Sequence, residues 1–371
     1  MITEAELYKK GLLRDKESSP FAVYLAQLQY SGDLQIFVPD LRSKRTNFTS
    51  IELFAGCGGS ALGLENAGFN HKLILEKDQD AMNTIRANRL SWPNVCVDIR
   101  DMDFTPYRGE IDLVSGGFPC QSFSQAGKRK GLSDDRGSLY KEFARCVQQV
   151  KPKIFLFENV LGLVQHNKGE TLKTILSQFP GYRIEYRVLH AQFHDVPQKR
   201  DRVFVIGVWD DSPIKFPEPK NYTIPIRSAL NECPSSVGFK YSPAREAVLR
   251  LVPEGGYWCD LPLDVAKEYM RKSFYLPGGK TGMARRLSRN EPSLTLMCSP
   301  SQLQTERCHP TETRPLTVRE YARIQTFPDH WAFAGSITSQ YRQIGNAVPV
   351  NLAYHVGRSL IGMLEAMNEV H

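Results

Sequence analysis

The chain has 371 residues, of which 41% are hydrophobic and 23% are charged, and its formal net charge is +7. This composition is ample for a sizeable apolar core, and the length suits one large domain with a smaller one. The basic residues are spread along the chain, which excludes a long basic tail, while the positive excess is compatible with a polyanionic partner without proving one.

The cysteines lack the spacing of a disulfide framework or of a zinc site, so we expect reduced thiols and no bound metal. They are Cys57, Cys96, Cys120, Cys146, Cys233, Cys259, Cys298 and Cys308. The chain opens with acids rather than an apolar signal core, and its most apolar stretch, residues 154–164, is too short to span a bilayer. These features predict a soluble cytoplasmic protein without a signal peptide or a transmembrane segment.

Residues 1–47 form a polar N-terminal extension, for which the apolar patch at 21–28 predicts one helix. A DNA-binding helix-turn-helix in this segment is disfavoured, because the segment is short and its helix-turn pattern is poor.

From residue 48 to residue 209, apolar strands alternate with amphipathic helices. This alternation predicts a doubly wound, mostly parallel α/β sheet. The predicted strands are 48–54, 72–76, 95–97, 111–114, 153–157 and 202–208, and the predicted helices include 80–88 and 138–150.

Regularity is lost in residues 210–284, where prolines and glycines alternate with aromatic and basic residues. We interpret this segment as a second, smaller and irregular domain. Residues 285–371 become regular again, and the segment 350–363 is predicted to be a helix that packs back on the sheet.

A glycine-rich turn, Phe54-Ala55-Gly56-Cys57-Gly58-Gly59, joins the first strand to a helix. Such glycines let a ligand approach the backbone closely, although a structural tight turn would also explain them. Glu76 ends the next strand about 20 residues further on, where an acid accepts hydrogen bonds from ribose hydroxyls. Asp98 ends the third strand and is suitably placed for an adenine amino group. This set fits S-adenosylmethionine better than a dinucleotide, because no pyrophosphate has to be held.

Three further features are expected at the carboxyl edge of the same sheet. Pro119-Cys120-Gln121 follows the fourth strand, Glu158-Asn159-Val160 follows the fifth, and Gln198-Lys199-Arg200-Asp201-Arg202 begins another. A buried structural cysteine and ordinary salt bridges are the alternative explanations. The arrival of a thiol, a carboxylate and paired guanidinium groups at one edge favours a catalytic site.

The order of these motifs, completed by Gln343-Ile344-Gly345-Asn346-Ala347-Val348-Pro349, resembles the bacterial DNA (cytosine-5-)-methyltransferase family. The resemblance covers residues 48–364 and shows no departure at the positions that carry the chemistry. It implies the S-adenosylmethionine-dependent methyltransferase fold, a methyl transfer to carbon 5 of cytosine, and double-stranded DNA as the partner. It also implies that residues 210–284 are a target recognition domain and that 285–371 support it and return to the catalytic domain.

The resemblance implies a role for each catalytic residue. Cys120 would attack carbon 6 of the base as a thiolate, and Glu158 would share a proton with ring nitrogen 3. Arg202 would hydrogen-bond the carbonyl oxygen of the base, while Arg200 and Asn159 would fix the surrounding loop and carboxyl group. Because the target carbon is hidden in a duplex, the cytosine must be flipped out, with residues 121–137 closing as a mobile loop. The implied cofactor contacts are Phe54, Ala55, Gly56, Gly58, Gly59, Glu76, Asp98, Ile99, Pro119, Leu139, Asn346 and Val348.

Two alternatives remain at this point: the same chemistry on transfer RNA, and a catalytically silent DNA-binding regulator. The long recognition-like insertion argues against the first, and the intact Cys120, Glu158 and Arg202 argue against the second. We expect a monomer that serves a restriction-modification system with a companion endonuclease for the same site. The candidate DNA contacts are Arg227, Lys240, Tyr241, Arg245, Arg250, Tyr257, Trp258, Lys267 and Arg271.

Overall fold

A computed structural model of the chain describes residues 2–15, 19–31, 41–119 and 139–370. The chain divides into two units. The sheet unit comprises Asp40–His190, Asp201–Glu218 and Val348–His371, and the irregular unit comprises Met1–Pro39, Ala191–Arg200 and Pro219–Ala347. The domain boundaries predicted at residues 47, 209 and 284 follow the chain in sequence, whereas this division groups the N-terminal extension with residues 219–347.

The elements have the following bounds. The strands are β1 (Thr49–Leu53), β2 (Asn70–Glu76), β3 (Asn94–Cys96), β4 (Leu113–Gly116), β5 (Ile154–Val160), β6 (Arg183–His190), β7 (Gln198–Lys199), β8 (Asp201–Val208) and β9 (Ser293–Leu294). The helices are α1 (Glu4–Lys9), α2 (Pro20–Ser31), α3 (Gly59–Ala67), α4 (Gln79–Asn88), α5 (Leu139–Val150), α6 (Gly162–Gln165), α7 (Glu170–Leu176), α8 (Arg227–Leu230), α9 (Pro243–Arg250), α10 (Leu263–Met270), α11 (Val318–Ile324), α12 (Ile337–Asn346) and α13 (Val350–Val370). Short 3₁₀ turns include Ile99–Asp101 and Arg271–Tyr275.

The described part of the sheet unit holds one seven-stranded sheet in the order β3-β2-β1-β4-β5-β8-β6. The first five strands in this order pair in parallel, while β8 runs antiparallel to both β5 and β6. The predicted doubly wound, mostly parallel α/β sheet is therefore confirmed. Parallel strands end at a common edge, so the ends of β1, β2, β4 and β5 come together where open α/β sheets bind their ligands.

The prediction omitted β6 and the helices between residues 162 and 176. Strand β6 lies at the end of the sheet, and most of its side chains are exposed or only half-buried. An edge strand of this kind lacks the apolar alternation by which strands are recognised in a sequence. The fifth strand was assigned correctly, because it is buried along almost its whole length.

The sheet unit is closed by an apolar core and by one very close helix contact. Phe143, Phe155, Phe157 and Phe179 form an aromatic cluster under the centre of the sheet. On α3, a side chain at Gly63 would overlap the backbone of α13, so the two helices pack almost backbone to backbone. The predicted helix from residue 350 is present and continues to the end of the described chain.

In its described part, the irregular unit contains a two-stranded pair, β7 with β9, and the short helices α1, α2 and α8 to α12. Its apolar cluster includes Tyr241, Leu249, Val252 and Ala266. In the N-terminal extension, the helix predicted at 21–28 is present as α2, while the additional helix α1 was not predicted. The helices that the structure describes include none with the length and apolar character that a membrane crossing requires.

Candidate active site

The glycine turn after β1 has an unusual backbone. Phe54, Gly56 and Gly58 all have positive φ angles, of 55°, 54° and 87°. A bulky residue such as Phe54 is uncommon in this region, so the turn is strained where Phe54 leaves the strand. Gly58 caps the N-terminus of α3, and both Ala55 and Gly59 are buried. The turn therefore holds Phe54 half-buried at the sheet edge, against the rim of the core.

Glu76 is tied to this turn by its side chain. Its carboxylate accepts hydrogen bonds from the backbone N–H groups of Gly56, Lys77 and Asp78, at 2.7, 2.8 and 2.7 Å. A Cβ built on Gly56 would meet nothing within 4 Å, so there is open space above the turn. The end of β2 and the glycine turn thus form one rigid, acid-bearing rim around a space.

Asp98 lies next along this edge, after β3. Its carboxylate accepts hydrogen bonds from the Lys77 ammonium at 2.6 Å and from the Arg100 backbone N–H at 3.1 Å. The bond from Lys77, helped by the one from Arg100, holds the pKa of Asp98 below its ordinary value. Ile99 follows as a buried residue whose carbonyl accepts a hydrogen bond from Arg145. Asp98 is therefore ionised and fixed in place.

A further acid, Glu52, lies inside β1 and was not selected from the sequence. It is buried, and it faces Ser115 in the register of β1 against β4. Burial raises the pKa of Glu52 to about 7, while hydrogen bonds from the Ser115 and Ser60 hydroxyls act in the opposite direction. Glu52 connects the strand before the glycine turn to the strand before Pro119. The signal in the sequence was an acid between Ile51 and Leu53 in an otherwise apolar strand.

Glu158 and Arg202 meet directly. Arg202 Nε lies 2.8 Å from Glu158 Oε1, and the two side chains are 13% and 17% exposed. In the antiparallel pair of β5 and β8, Glu158 is opposite Phe204 and Arg202 is opposite Val160. The two residues are thus diagonal neighbours on one face, within reach of long side chains. The pair is largely buried, and a small part of each side chain remains exposed.

The backbone after β4 passes very close to this pair. A Cβ built on Gly117 would come within 3.1 Å of Glu158 Oε2, so a larger residue at that position would crowd the carboxylate. Asn159 is buried and its side chain donates a hydrogen bond to the Phe118 carbonyl at 3.3 Å. Asn159 therefore holds the segment that leads to Pro119, which is half-buried.

Cys120 and the predicted mobile loop, residues 121–137, lie outside the described residues. The chain is described again from Leu139, the first residue of α5, which packs on the apolar core of the sheet unit.

Arg200, although only two residues before Arg202, lies in the irregular unit. It is 1% exposed, and its guanidinium group donates to the carbonyls of Leu296, Gly345 and Ala347 at 3.0–3.2 Å. These contacts give Arg200 a structural position among backbone carbonyls. Asn346 ends α12 in the same unit and accepts a contact from Cys298 Sγ at 3.1 Å. Val348 lies in the sheet unit and is half-buried.

Two of the candidate DNA contacts belong to the interior of the irregular unit. Arg245 forms an ion pair at 2.6 Å with Glu306, whose side chain is completely buried, and the Arg245 guanidinium lies over the Tyr241 ring. We therefore assign Tyr241 and Arg245 to the structure of the unit rather than to DNA contact. Arg227 bonds to Asn290 and to the Tyr30 carbonyl. Of the other candidates, Lys240, Arg250, Lys267 and Arg271 are exposed, while Tyr257 and Trp258 are half-buried.

Among the described residues there is no cluster of three His, Cys, Asp or Glu side chains that could hold a metal ion. His309 lies beside Glu320 at 3.7 Å, in a network with Arg314. Cys308 is buried in the apolar cluster of the irregular unit.

Comparison with known proteins shows which family the chain resembles. The profile of the C-5 cytosine-specific DNA methylase family matches residues 48–362. The chain is 49% identical to the type II methyltransferase M.Eco47II of Escherichia coli, over 98% of this chain and 88% of that protein. It is 53% identical to the type II methyltransferase M.PspPI of Psychrobacter sp. (strain TA137), over 98% and 89%. The crystal structure of a prophage-encoded E. coli protein, described as a DNA modification methyltransferase, superposes with a TM-score of 0.64 and 27% identity, over 86% of this chain and 100% of that chain.

Proposed function

This chain belongs to the C-5 cytosine-specific DNA methylase family and is a DNA (cytosine-5-)-methyltransferase, and from this premise we propose how its own residues perform the reaction. The observation that carries the proposal is the Glu158–Arg202 pair, with Asn159 holding the segment that runs into Pro119 and Cys120. The pair offers one acid and one cation to the polar edge of a base, and in the sequence Cys120 comes shortly after Gly116, the last residue of the neighbouring strand β4.

The family uses S-adenosylmethionine, and the residues at the sheet edge fit it. The open space at Gly56 is bordered by the aromatic ring of Phe54 and by the fixed carboxylates of Glu76 and Asp98. We propose that Glu76 accepts the ribose hydroxyls, that Asp98 accepts the adenine amino group, and that Phe54 packs on the adenine ring. Ala55, Gly58, Gly59, Ile99, Pro119, Leu139 and Val348, which belong to the same unit, would complete the pocket. When bound, this group supplies an electrophilic methyl carbon.

In the proposed reaction, the Cys120 thiolate adds to carbon 6 of a flipped-out cytosine, and the electron pair released into the ring makes carbon 5 nucleophilic. Glu158 supplies the proton that ring nitrogen 3 gains, and Arg202 hydrogen-bonds the carbonyl oxygen while it holds the carboxyl group. Carbon 5 then takes the methyl group. Loss of the carbon 5 proton to a base, expulsion of the Cys120 thiolate and return of the nitrogen 3 proton to Glu158 restore the aromatic ring.

We propose further that the substrate is double-stranded DNA and that the chain serves a restriction-modification system. The support is the high identity, over nearly the whole chain, to two proteins named type II methyltransferases. Bisulfite sequencing of DNA from cells that express the chain would identify the modified cytosine and its sequence context. Parallel assays of methyl incorporation into duplex DNA and into transfer RNA test the substrate class, and incorporation into RNA alone would overturn the proposal.

The covalent step has its own test. We expect Cys120→Ser to abolish methyl transfer while cofactor binding survives, because a hydroxyl is a far poorer nucleophile at neutral pH. Cys96→Ser is the matched control, since Cys96 is a partly exposed cysteine of the same unit to which the mechanism gives no role. A duplex with 5-fluorocytosine at the target should trap the wild-type chain in a denaturant-stable complex. Substantial turnover by Cys120→Ser would contradict the scheme.

A further inference from the structure

Residues 1–39 of the N-terminal extension belong to the same compact unit as residues 219–347. Its two helices share a small apolar core, and the chain between them turns at Gly11, where φ is +67°. The Gly11 carbonyl accepts a hydrogen bond from the Gln192 side chain at 3.4 Å, so this turn is seated on segment 191–200. The core residues are Leu7, Leu12, Leu13, Ala22 and Ala26.

The strongest attachment of the extension is an ion-pair triad. Lys10 Nζ lies 2.6 Å from Glu291 Oε1, and Lys199 Nζ lies 3.2 Å from Glu291 Oε2. The Glu291 side chain is only 16% exposed. Although burial opposes ionisation, the bond from Lys10 and the charge of Lys199 hold the pKa of Glu291 below its ordinary value. Glu291 therefore bridges two cations as a carboxylate, one from the extension and one from the segment that precedes Arg202.

Lys199 belongs to a segment in which successive side chains are fixed. The Gln198 side chain accepts from the Leu296 backbone N–H at 3.0 Å and donates to Gln325 at 2.9 Å. The Arg200 guanidinium is bonded to backbone carbonyls, as described for the active site. Lys199 is held through Glu291, and Lys10 of the extension holds the other oxygen of the same carboxylate.

A second attachment joins the extension to the candidate recognition segment. The Arg227 guanidinium donates to the carbonyl of Tyr30, near the end of α2, at 3.3 Å. The backbone at Ile226 and Arg227 donates in turn to the carbonyls of Glu291 and Arg289, at 2.9 and 3.1 Å. The extension thus contacts Arg227 in segment 219–230 and Glu291 in segment 288–294, and these two segments are hydrogen-bonded to each other.

We propose that the N-terminal extension stabilises the irregular unit and that Lys10 is a positioning residue for binding of the DNA target. Lys10 acts through Glu291 on Lys199. The inference rests on the proposed function, in which residues of the irregular unit contact DNA. Lys10 itself does not touch the DNA in this proposal. Its effect is to fix the loop at residues 288–291 and the Gln198–Arg200 segment against one another.

The test uses the full-length chain with Lys10→Met, the conservative variant Lys10→Arg, Glu291→Gln and the double variant. Lys9→Met is the matched control, since Lys9 is the adjacent lysine and is exposed. Steady-state assays on a duplex with the mapped target give KM for DNA and kcat over a range of salt concentrations, and calorimetry gives the S-adenosylmethionine dissociation constant. All assays are run well below the unfolding temperature of each variant.

We expect Lys10→Met to raise KM for DNA about fivefold to tenfold, from the loss of one charge-assisted bond. The kcat and the cofactor dissociation constant should stay within about twofold, with Lys10→Arg and Lys9→Met close to wild type. In the Glu291→Gln background, Lys10→Met should have no further effect, because the two residues act as a unit. The salt dependence should be unchanged, since no phosphate contact is lost.

Two results would overturn the inference while leaving the proposed function intact. One is an unchanged KM for DNA in Lys10→Met with only a lower unfolding temperature, which would make the extension merely structural. The other is a raised KM that persists in the Glu291→Gln background with a salt slope smaller by about one, which would make Lys10 a direct phosphate contact. If the wild-type chain itself fails to methylate duplex DNA, the proposed function fails instead.

Discussion

Each of the two units of this enzyme is stabilised internally, and the stabilising interactions differ between them. In the sheet unit, paired strands satisfy the backbone and an aromatic cluster fills the core. In the irregular unit, buried guanidinium groups donate hydrogen bonds to backbone carbonyls that are not paired in a sheet. Arg286, 5% exposed, donates to the carbonyls of Leu249, Val252, His309 and Glu312 at 2.7–3.1 Å. Buried carbonyls of an irregular backbone have no partners in a neighbouring strand, so they need other hydrogen-bond donors. An arginine side chain, with five N–H donors, can satisfy several of them at once.

The largest expected effect follows from removing that donor set. Arg286→Met should destabilise the irregular unit by on the order of 3 kcal/mol or more, because several buried carbonyls lose their partners together. Calorimetry with hydrogen exchange on residues 219–347 would detect the loss. Arg289→Met is the matched control, since Arg289 is an arginine of the same segment with a side chain 53% exposed, paired with Glu254. Equal stability of the two variants would contradict the contrast between the units.

A second prediction concerns Glu52, the buried acid of the sheet unit. Its pKa is raised to about 7 from 4.5, so the carboxyl group stabilises the fold fully below pH 4.5, and this contribution is lost as the pH rises through 7. In Glu52→Gln that part of the pH dependence should disappear. Relative to wild type, the variant should therefore gain stability between pH 5 and pH 8, on the order of 2 kcal/mol. Urea unfolding at each pH measures the difference, with Ser115→Ala as a companion variant, and parallel stability curves would rule the assignment out.

The third prediction compares two acids of the cofactor rim. Glu76→Ala should weaken S-adenosylmethionine binding by on the order of 1.5–3 kcal/mol, since a charge-assisted pair is lost and the glycine turn loses its anchor at Gly56. Calorimetric titration measures this change. Glu110, an exposed acid of the same unit, provides the matched control as Glu110→Ala. An unchanged dissociation constant in Glu76→Ala would move the ribose contact to another residue.

The smallest effect is expected where the acid is held by a surface cation. Lys77→Met removes the partner of Asp98, but the Lys77 side chain is 71% exposed, and such pairs contribute less than about 1 kcal/mol. Cofactor affinity should therefore fall by no more than about fivefold. The same titration at low and high salt checks the origin of the change, because a surface pair is screened by salt. A loss as large as that of Glu76→Ala would show that Lys77 contacts the cofactor itself.

Much of the sheet unit could be predicted because its signals are local. Buried strands such as β5 are apolar runs, and the turn after β1 needs glycine at positive φ. Acids such as Glu76 and Asp98 stand out when they end apolar strands, so the candidate cofactor rim could be read residue by residue. Glu52 was not selected in this way, because the role of an acid inside a strand becomes clear only when Ser115 is known to face it.

The irregular unit was predictable in composition but not in contacts. The segment could be located because it is rich in proline, glycine, aromatic and basic residues. This composition did not indicate which of its side chains contact DNA. Tyr241 and Arg245 resemble DNA contacts in the sequence, yet Tyr241 is buried and the half-buried Arg245 is paired with the buried Glu306. Burial of a charged residue depends on a partner that is distant in the chain, and composition carries no information about that partner.

The sequence by itself determined the family, the mostly parallel sheet, and the residues that end its strands, since periodicity and turn chemistry act over a few residues. Only the tertiary structure decided which groups meet. It separates Arg202, which is paired with Glu158 across an antiparallel strand, from Arg200, which is buried among carbonyls. It also joins Lys10 to Glu291 across 281 positions of the chain. Such contacts depend on strand direction, register and packing between remote segments, and no local pattern encodes them.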